Sequence, residues 1–233
     1  MVKRNGWENR WLQHVADEPS AHNVAAFRKT AKIVRQAMPG IRTLDAVETD
    51  EVGGVLDCIC PKTRFVQERW NRLSELKDGG AEIWCYVCCF PGENWLNRLL
   101  DRPLLDTTEI FWGCAQYDLK GFLHWAYNSY HSNQLPFVRS CGNNDTTSYL
   151  PAGDTHVVYP GIAGPWSGCR FEASRQGMED LQLINLLKRR NAARAALIVK
   201  SVFRDFDDAT RDVRVYRKAR RTLLETLVSS GVR

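Results

Sequence analysis

The chain has 233 residues, with an apolar fraction of 44% and a charged fraction of 25%, as is usual for a soluble globular protein. No apolar stretch is long enough to span a bilayer, and the basic start MVKRNGWENRW lacks the apolar segment of a signal peptide. These features exclude a membrane-spanning protein, and they predict a cytoplasmic protein with no membrane partner.

The formal net charge of +5 is modest, but Lys and Arg residues concentrate in the C-terminal third, in KRRNAAR and RDVRVYRKARR. On amphipathic helices such residues usually form a solvated face, and nucleic-acid binding is the minority interpretation. We therefore expect no nucleic-acid partner.

Apolar periodicity predicts strands that alternate with helices in the first half of the chain. The predicted strands are residues 12–16, 43–47, 55–61, 81–90 and 122–128. The predicted helices between them are residues 20–38, 62–77 and 104–119. Ser20 is expected to cap the first helix, and Pro39 and Gly40 to end it.

The second half of the chain begins with a segment rich in Asn, Ser, Gly and Pro, which predicts a long loop with one short strand at THVVYPG. Amphipathic patterns then predict helices at 169–190, 192–204 and 208–229. The sequence thus predicts three parts. They are a catalytic-type domain at 1–130, a loop region at 131–168, and C-terminal helices at 169–233 that pack on the first domain.

Strands that alternate with helices and are apolar throughout are typical of parallel βα units. A doubly wound sheet and a (β/α) barrel both fit this pattern. No strand is followed by G-x-G-x-x-G or by a P-loop, the glycine-rich signatures of a nucleotide site. The pattern therefore favours an α/β fold of the TIM-barrel type.

Five of the eight cysteines lie in two clusters. Cys58 and Cys60 stand in DCICP, and Cys85, Cys88 and Cys89 stand in WCYVCCFPG. A zinc site would need a second C-x-x-C pair, which the sequence lacks, and both clusters fall within strand-like apolar runs. We expect buried, reduced thiols that pack as small apolar groups, and we expect no metal or cofactor.

Two adjacent acids, Asp17 and Glu18, stand where the first predicted strand ends, directly before Pro19. Proline disfavours helical dihedrals in the preceding residue, so Glu18 is expected to be extended. Repulsion between neighbouring carboxylates raises the pKa of one of them, and this is how a carboxyl group remains protonated and serves as a general acid. By itself, an Asp-Glu-Pro sequence is weak evidence for catalysis, because exposed turns commonly contain these residues, and an exposed turn is then the favoured interpretation.

Aromatic side chains stand near the ends of two later strands. Trp84 and Tyr86 are two residues apart and share a strand face, and so do Trp125 and Tyr127. Flat aromatic faces beside carboxylates suit a sugar ring, although each side chain fits core packing as well. His124 is predicted to face the opposite side from Trp125 and to be a core histidine.

Three segments of this chain resemble the C-terminal part of glycoside hydrolase family 123 and its relatives, which include a related C-terminal domain of unknown function. They are VADEPS, EIWCYVCCFPGENWLNRLLDRPLLDTTEIFWGCAQYDLKGFLHWAYNSY and LPAGDTHVVYPGIAGPWSGCRFEASRQGMEDLQLINLL, and they occur in the family's order within residues 11–187. The resemblance implies a retaining β-N-acetylgalactosaminidase of hexosaminidase type. In that mechanism the 2-acetamido group of the substrate is the nucleophile.

The resemblance assigns the acid/base role to Glu18 and the orientation of the acetamido group to Asp17. By looser analogy, the substrate-binding side chains are Trp84, Tyr86, Trp125, Tyr127, Asn128 and Asp154. A further set also matches the family pattern and is predicted to form a structural ion-pair network that seats the last helices: Arg170, Glu172, Arg175 and Asp180.

The resemblance also implies that the five predicted strands correspond to about strands four to eight of a barrel. The predicted fold is therefore a partial (β/α) TIM-type barrel with a C-terminal helical extension. Such a barrel exposes strand edges that a second copy of the chain, or a missing N-terminal region, would cover. Two functions follow: a hexosaminidase that acts on N-acetylgalactosamine-containing glycans or glycolipids, and a truncated, non-catalytic relative that binds carbohydrate or needs a partner chain.

Overall fold

Four parallel strands follow one another in the sheet in the same order as in the chain. They are β1 (Leu12–His14), β2 (Arg42–Val47), β3 (Cys58–Pro61) and β4 (Glu82–Ile83). Next to them, β5 (Cys85–Tyr86) pairs in parallel with β6 (Phe122–Leu123). A doubly wound sheet reverses its strand order at a switch point, and these strands contain no reversal.

The computed structural model describes residues 1–130, 134–142 and 149–229. They divide into two compact units. The sheet unit comprises Met1–Tyr86 and Leu119–Leu123, and the helical unit comprises Val87–Asp118 and His124–Arg233. The predicted division at residues 130 and 168 stays a prediction, and parts of the predicted loop, 131–133 and 143–148, lie outside the described residues.

The central strands of the sheet unit are buried on both faces, which explains their near-continuous apolar sequences. Leu44 aligns with Cys58, and Ile59 aligns with Ile83. The predicted fourth strand, 81–90, is divided at Trp84 into β4 and β5, and the predicted fifth strand is regular only in β6. Mixed α/β structure with a parallel sheet is confirmed, and barrel closure stays a prediction.

Three α-helices belong to the sheet unit: α1 (Val24–Ala37), α2 (Thr63–Glu68) and α3 (Trp70–Asp78). The first helix starts later than predicted, because the N–H of Ser20 donates to Asn23 Oδ1 at 2.8 Å and the intervening residues form a turn. The predicted helix at 62–77 is interrupted at Arg69, whose φ of −120° and ψ of 20° are not helical.

The helical unit contains α4 (Leu104–Tyr117), α5 (Cys169–Arg190), α6 (Ala192–Lys200) and α7 (Val213–Ser229). Helices α4 and α5 approach closely at Gly177, where an added Cβ would lie 2.5 Å from the ring of Phe111. Only a residue without a side chain fits at this crossing. The predicted helix at 169–190 coincides with α5.

Two antiparallel hairpins complete the helical unit. One pairs β7 (Val158–Pro160) with β8 (Pro165–Ser167), and the other pairs β9 (Phe203–Asp205) with β10 (Asp208–Ala209). The predicted helices 192–204 and 208–229 were too long, because their ends include residues of β9 and β10. Phe203 and Phe206 are fully buried there, so core packing overrides the local helical pattern.

All eight cysteines are free. The prediction of buried thiols holds for Cys58, Cys60, Cys85 and Cys88, whereas Cys89 is only partly buried. Within the described residues, no helix combines the length and the apolar character that crossing a membrane requires.

Candidate active site

The acidic pair lies in a sharp turn at the carboxyl end of β1. Glu18 has a φ of +41°, a left-handed conformation that is uncommon for residues other than glycine and that is often found at functional sites. The prediction that Pro19 holds Glu18 extended is wrong. The buried Pro19 instead accepts the N–H of Glu48 at 2.9 Å through its carbonyl, which ties the turn to the end of β2.

The carboxylate of Glu18 belongs to a group of side chains from four neighbouring strand ends. Lys62 Nζ lies 3.3 Å from Glu18 Oε1 and 2.7 Å from Glu48 Oε1, and it lies 5.8 Å from the ring centre of Tyr86. Glu48 and Lys62 directly follow β2 and β3, and Tyr86 ends β5. We call Glu18, Glu48, Lys62 and Tyr86 the strand-end cluster.

The strand-end cluster contains two residues that the sequence analysis selected, Glu18 and Tyr86, and two that it missed. The signal that would have found Glu48 and Lys62 is their position, because each is the first residue after a buried parallel strand. Lys62, whose side chain is 21% exposed, is the charged group in contact with Glu18, at 3.3 Å, and the sequence did not reveal this contact.

Asp17 points to different partners from Glu18. Its side chain is 82% exposed, and its Oδ1 lies 3.9 Å from His14 Nε2. The same His14 nitrogen lies 2.7 Å from Oδ1 of the fully buried Asp45. The imidazole of His14 thus stands between the exposed and the buried carboxylate.

The Asp45 side chain holds the backbone of the two residues that directly precede the acidic pair. Its Oδ2 accepts the N–H groups of Val15 at 3.1 Å and Ala16 at 3.4 Å, where β1 has already ended. Burial raises the pKa of Asp45 to about 6, against the opposing effects of His14 and the two N–H groups. Sequence reasoning missed Asp45 because it lies within an apolar strand.

Trp84 does not join the strand-end cluster. Its indole packs over Gly121, and its Nε1 donates to Glu82 Oε2 at 3.3 Å. Arg42 Nη2 binds the same oxygen at 2.6 Å. Arg42 and Glu82 are the first residues of β2 and β4, so the indole reaches towards the amino ends of the strands, away from Glu18.

The other predicted sugar-binding residues lie in the helical unit. Trp125 and Tyr127 are about half exposed, and Asn128 is exposed. Asp154 is fully buried and accepts Trp125 Nε1 on Oδ2 at 3.1 Å, while its Oδ1 lies 3.1 Å from His124 Nε2. The carboxylate of Asp154 is thus occupied within the protein, and its position suits holding Trp125 rather than binding a sugar hydroxyl.

His124 is buried, as predicted, with 3% of its side chain exposed. The prediction that it faces the opposite side from Trp125 is wrong, because the two rings stack with their centres 6.3 Å apart and both contact Asp154. Burial lowers the pKa of His124 to about 4, although the contact with Asp154 opposes this shift. The imidazole is therefore neutral near pH 7, and together with Asp154 it forms a fixed support beneath the exposed indole of Trp125.

The predicted ion-pair network has several separate parts. Arg170 is buried, but it donates to the carbonyl oxygens of Arg98, Gly153 and His156 at 2.6–3.0 Å and not to a carboxylate. Arg175 forms exposed pairs along α5 with Glu172 and Glu179. Asp180 is fully buried and receives Trp112 Nε1, Tyr216 Oη and Arg220 Nε from α4 and α7. All these contacts are structural.

Across residues 1–130, 134–142 and 149–229, no group of three or more His, Cys, Asp or Glu side chains is arranged to hold a metal ion. The strand-end cluster itself offers carboxyl, ammonium and phenol groups.

The family model described as "Glycoside hydrolase 123, catalytic domain" matches residues 1–187, which is most of the chain. The chain therefore belongs to this family, and the resemblance predicted from its three segments is confirmed. No curated protein matches the sequence.

Proposed function

We propose that this member of the glycoside hydrolase 123 family is a retaining β-N-acetylhexosaminidase that acts on N-acetylgalactosamine-containing glycans or glycolipids. One observation carries the proposal. In a chain of this family, an Asp-Glu pair follows the first parallel strand, and its Glu18 carboxylate lies among side chains from the carboxyl ends of neighbouring strands. In (β/α) proteins that edge of the sheet is where catalytic groups lie.

The first chemical step requires an acid and an internal nucleophile. The acetamido oxygen of the substrate attacks C1 while Glu18 donates its proton to the leaving oxygen, so that the C1–O bond to the aglycone breaks and an oxazolinium ion forms. Asp17 accepts the acetamido N–H and stabilises the positive charge. Water then attacks C1 and transfers a proton to the Glu18 carboxylate, while the C1–O bond of the oxazolinium ring breaks and its electron pair returns to the acetamido oxygen. This step restores the acetamido group and the protonated acid, and the two successive inversions retain the configuration.

Lys62 must release Glu18 for this step, because an ionised carboxylate cannot donate a proton. The second contact of Lys62 makes this release feasible, since Glu48 lies closer to the ammonium, at 2.7 Å, than Glu18 does at 3.3 Å. We infer that Lys62 holds Glu18 in the empty site and pairs with Glu48 when Glu18 is protonated. Lys62 is then a positioning residue.

Each unit has one aromatic residue that is proposed to bind sugar. In the sheet unit, the ring centre of Tyr86 lies 5.8 Å from Lys62 Nζ, but the residue is only 6% exposed, so its assignment to the acetamido carbonyl rests on the family analogy. In the helical unit, the indole of Trp125 is half exposed and Asp154 fixes its orientation, which suits stacking on the apolar face of a sugar ring.

Carbohydrate binding without hydrolysis is the second candidate. The contact between Lys62 and Glu18 favours it, because a permanently paired carboxylate would bind sugar hydroxyls and would not act as an acid.

Release of nitrophenol from the β-N-acetylgalactosaminide tests the proposal. We expect the parent chain to hydrolyse this substrate and Glu18→Gln to lose a factor of about 10² or more, because the variant lacks the general acid. Glu68→Gln, an equivalent change at an exposed α2 residue paired with Arg64, should retain full activity.

The matching β-galactoside, which lacks the acetamido group, tests the nucleophile. It should not be hydrolysed by the parent chain. Equal rates on both substrates would contradict substrate assistance but leave the role of Glu18 open to the first test. If a folded parent chain binds N-acetylgalactosamine without hydrolysing either substrate, the second candidate replaces the first.

A further inference from the structure

Helices α6 and α7 enclose a groove that the proposed activity does not use. Its volume is about 390 Å³, and its floor is formed by Leu197 and Ile198 from α6 and by Val215 and Ala219 from α7. These helices follow residue 187, where the family match ends. The groove therefore belongs to a part of the chain for which the family supplies no role.

The floor of the groove leaves apolar side chains in water. Leu197 is 63% exposed and Val215 is 39% exposed, whereas Ile198 and Ala219 are buried beneath them. The apolar surface in the groove is small, so it suits a few inserted apolar side chains and not a broad hydrophobic interface. The volume is large enough for several apolar side chains of a partner.

Unpaired cations stand on both sides of this groove. Arg194 lies on α6 and Lys218 lies on α7, and within the described residues neither side chain has a hydrogen bond or an ion pair. Arg221 continues the row on α7, one helical turn beyond Lys218. Other exposed arginines of the same region, Arg204 and Arg214, are paired with Asp208 and Asp212.

The C-terminal region as a whole carries a net positive charge, like the border of the groove. Residues 188–233 contain thirteen Lys and Arg against five Asp and Glu, whereas residues 1–187 contain nineteen against twenty-two. The basic character of the chain is thus confined to the region that forms the groove. Such a field attracts anionic partners and increases their rate of association.

We propose that the α6–α7 groove binds an acidic amphipathic helix of a partner protein. Apolar side chains of the partner at positions i, i+3 or i+4, and i+7 would enter the floor, and its carboxylates would meet Arg194 on one side and Lys218 on the other. Cations on both sides suit a ligand whose acids flank an apolar stripe, which is the pattern of an acidic amphipathic helix.

The concave shape argues against the two other anionic partners. A bilayer surface contacts protruding apolar side chains and cannot fill a groove between two helices. A nucleic acid would pair its phosphates with the cations and leave the apolar floor unfilled.

Fluorescence anisotropy with a labelled synthetic peptide tests this proposal. The probe is a helical peptide of about 16 residues, built from Glu with Leu at the spacing given above. We expect the full chain to bind it, and we expect Arg194→Glu with Lys218→Glu to weaken binding about tenfold or more through charge reversal. Leu197→Gln, which keeps both cations and changes an exposed side chain, should also weaken it about tenfold.

The matched control is Lys29→Glu with Lys32→Glu, which changes the net charge equally on an exposed face of α1. This pair should leave binding unchanged. The proposal is overturned if the chain does not bind the Leu/Glu peptide, or if a Ser/Glu peptide of the same charge binds equally well. Phosphatidylserine vesicles and oligo-dT are tested on the same two proteins. The proposal is also overturned if the Arg194→Glu, Lys218→Glu variant binds the vesicles or oligo-dT more weakly than the parent chain does, while it binds the peptide as well as the parent chain.

Discussion

Two carboxylates at strand ends of the sheet unit and two inside the helical unit have opposite surroundings. Glu18 and Glu48 stand at strand ends, partly in water, and share one lysine at 3.3 and 2.7 Å. Asp154 and Asp180 are fully buried, and neighbouring side chains occupy their oxygens. Under the proposed mechanism, Glu18 transfers a proton and therefore needs a partner that can be exchanged, whereas the buried Asp180 is held by several side chains at once.

Asp180 is the strongest example of the structural kind. It receives hydrogen bonds from Trp112 at 3.1 Å, Tyr216 at 2.6 Å and Arg220 at 2.8 Å, and so joins α4 and α7 to α5. Burial raises the pKa of Tyr216 far above its usual range, and its hydrogen bond to Asp180 adds to this effect. The phenol therefore remains protonated, and donates to Asp180, at pH values where a free tyrosine would already ionise.

Asp180→Ala should have the largest effect on stability. We expect a loss of about 3–5 kcal/mol in the free energy of unfolding, measured by urea denaturation, because the buried Trp112 and Tyr216 and the partly buried Arg220 lose their acceptor. Glu179→Ala changes the neighbouring residue, whose exposed pair with Arg175 contributes little. Similar losses in the two variants would contradict the division between structural and exchangeable carboxylates.

Glu109 on α4 contrasts with Asp180. It is also fully buried, but neither of its carboxyl oxygens has a hydrogen-bond partner among the described residues. Burial, reinforced by the nearby Asp106, raises the pKa of Glu109 to about 9. The group is therefore protonated in the folded protein near pH 7 and ionised in the unfolded chain, so folding becomes less favourable as the pH rises between these two pKa values.

Glu109→Met should therefore stabilise the helical unit by an amount that grows with pH. Between pH 6.5 and 8.5 we expect the difference in unfolding free energy between variant and parent to increase by about 1 kcal/mol per pH unit. That range lies above the pKa of Asp45, about 6, which contributes a similar slope at lower pH. A difference independent of pH, measured by urea denaturation in each buffer, would contradict this assignment.

The smallest predicted effect on stability is at Lys62. Lys62→Met should lower kcat/KM about tenfold, because Glu18 loses the contact that positions it, while the free energy of unfolding changes by only about 0–1 kcal/mol. Lys62→Arg keeps the cation and should recover most of the activity. If Lys62→Arg is as impaired as Lys62→Met, or if unfolding accounts for the loss, Lys62 is not a positioning residue.

Several features of this protein follow from the sequence alone. The apolar runs and the 3.6-residue periodicity predicted the alternating elements, the bounds of α5, and the acidic pair at the end of β1, because burial leaves a local pattern of apolar spacing. The family resemblance depended on contiguous segments and was also visible in the sequence.

Only the tertiary structure decided which side chains meet. Glu18, Glu48 and Lys62 are far apart in sequence, and their contact depends on the register of three parallel strands. The orientation of Trp84 depends on Glu82 and Gly121, and the burial of Asp154 depends on the packing around Trp125 and His124. Local periodicity predicts whether a residue is buried, but it does not predict which residue it contacts. The contacting residue lies on another element, and the packing of the whole unit sets the alignment of that element.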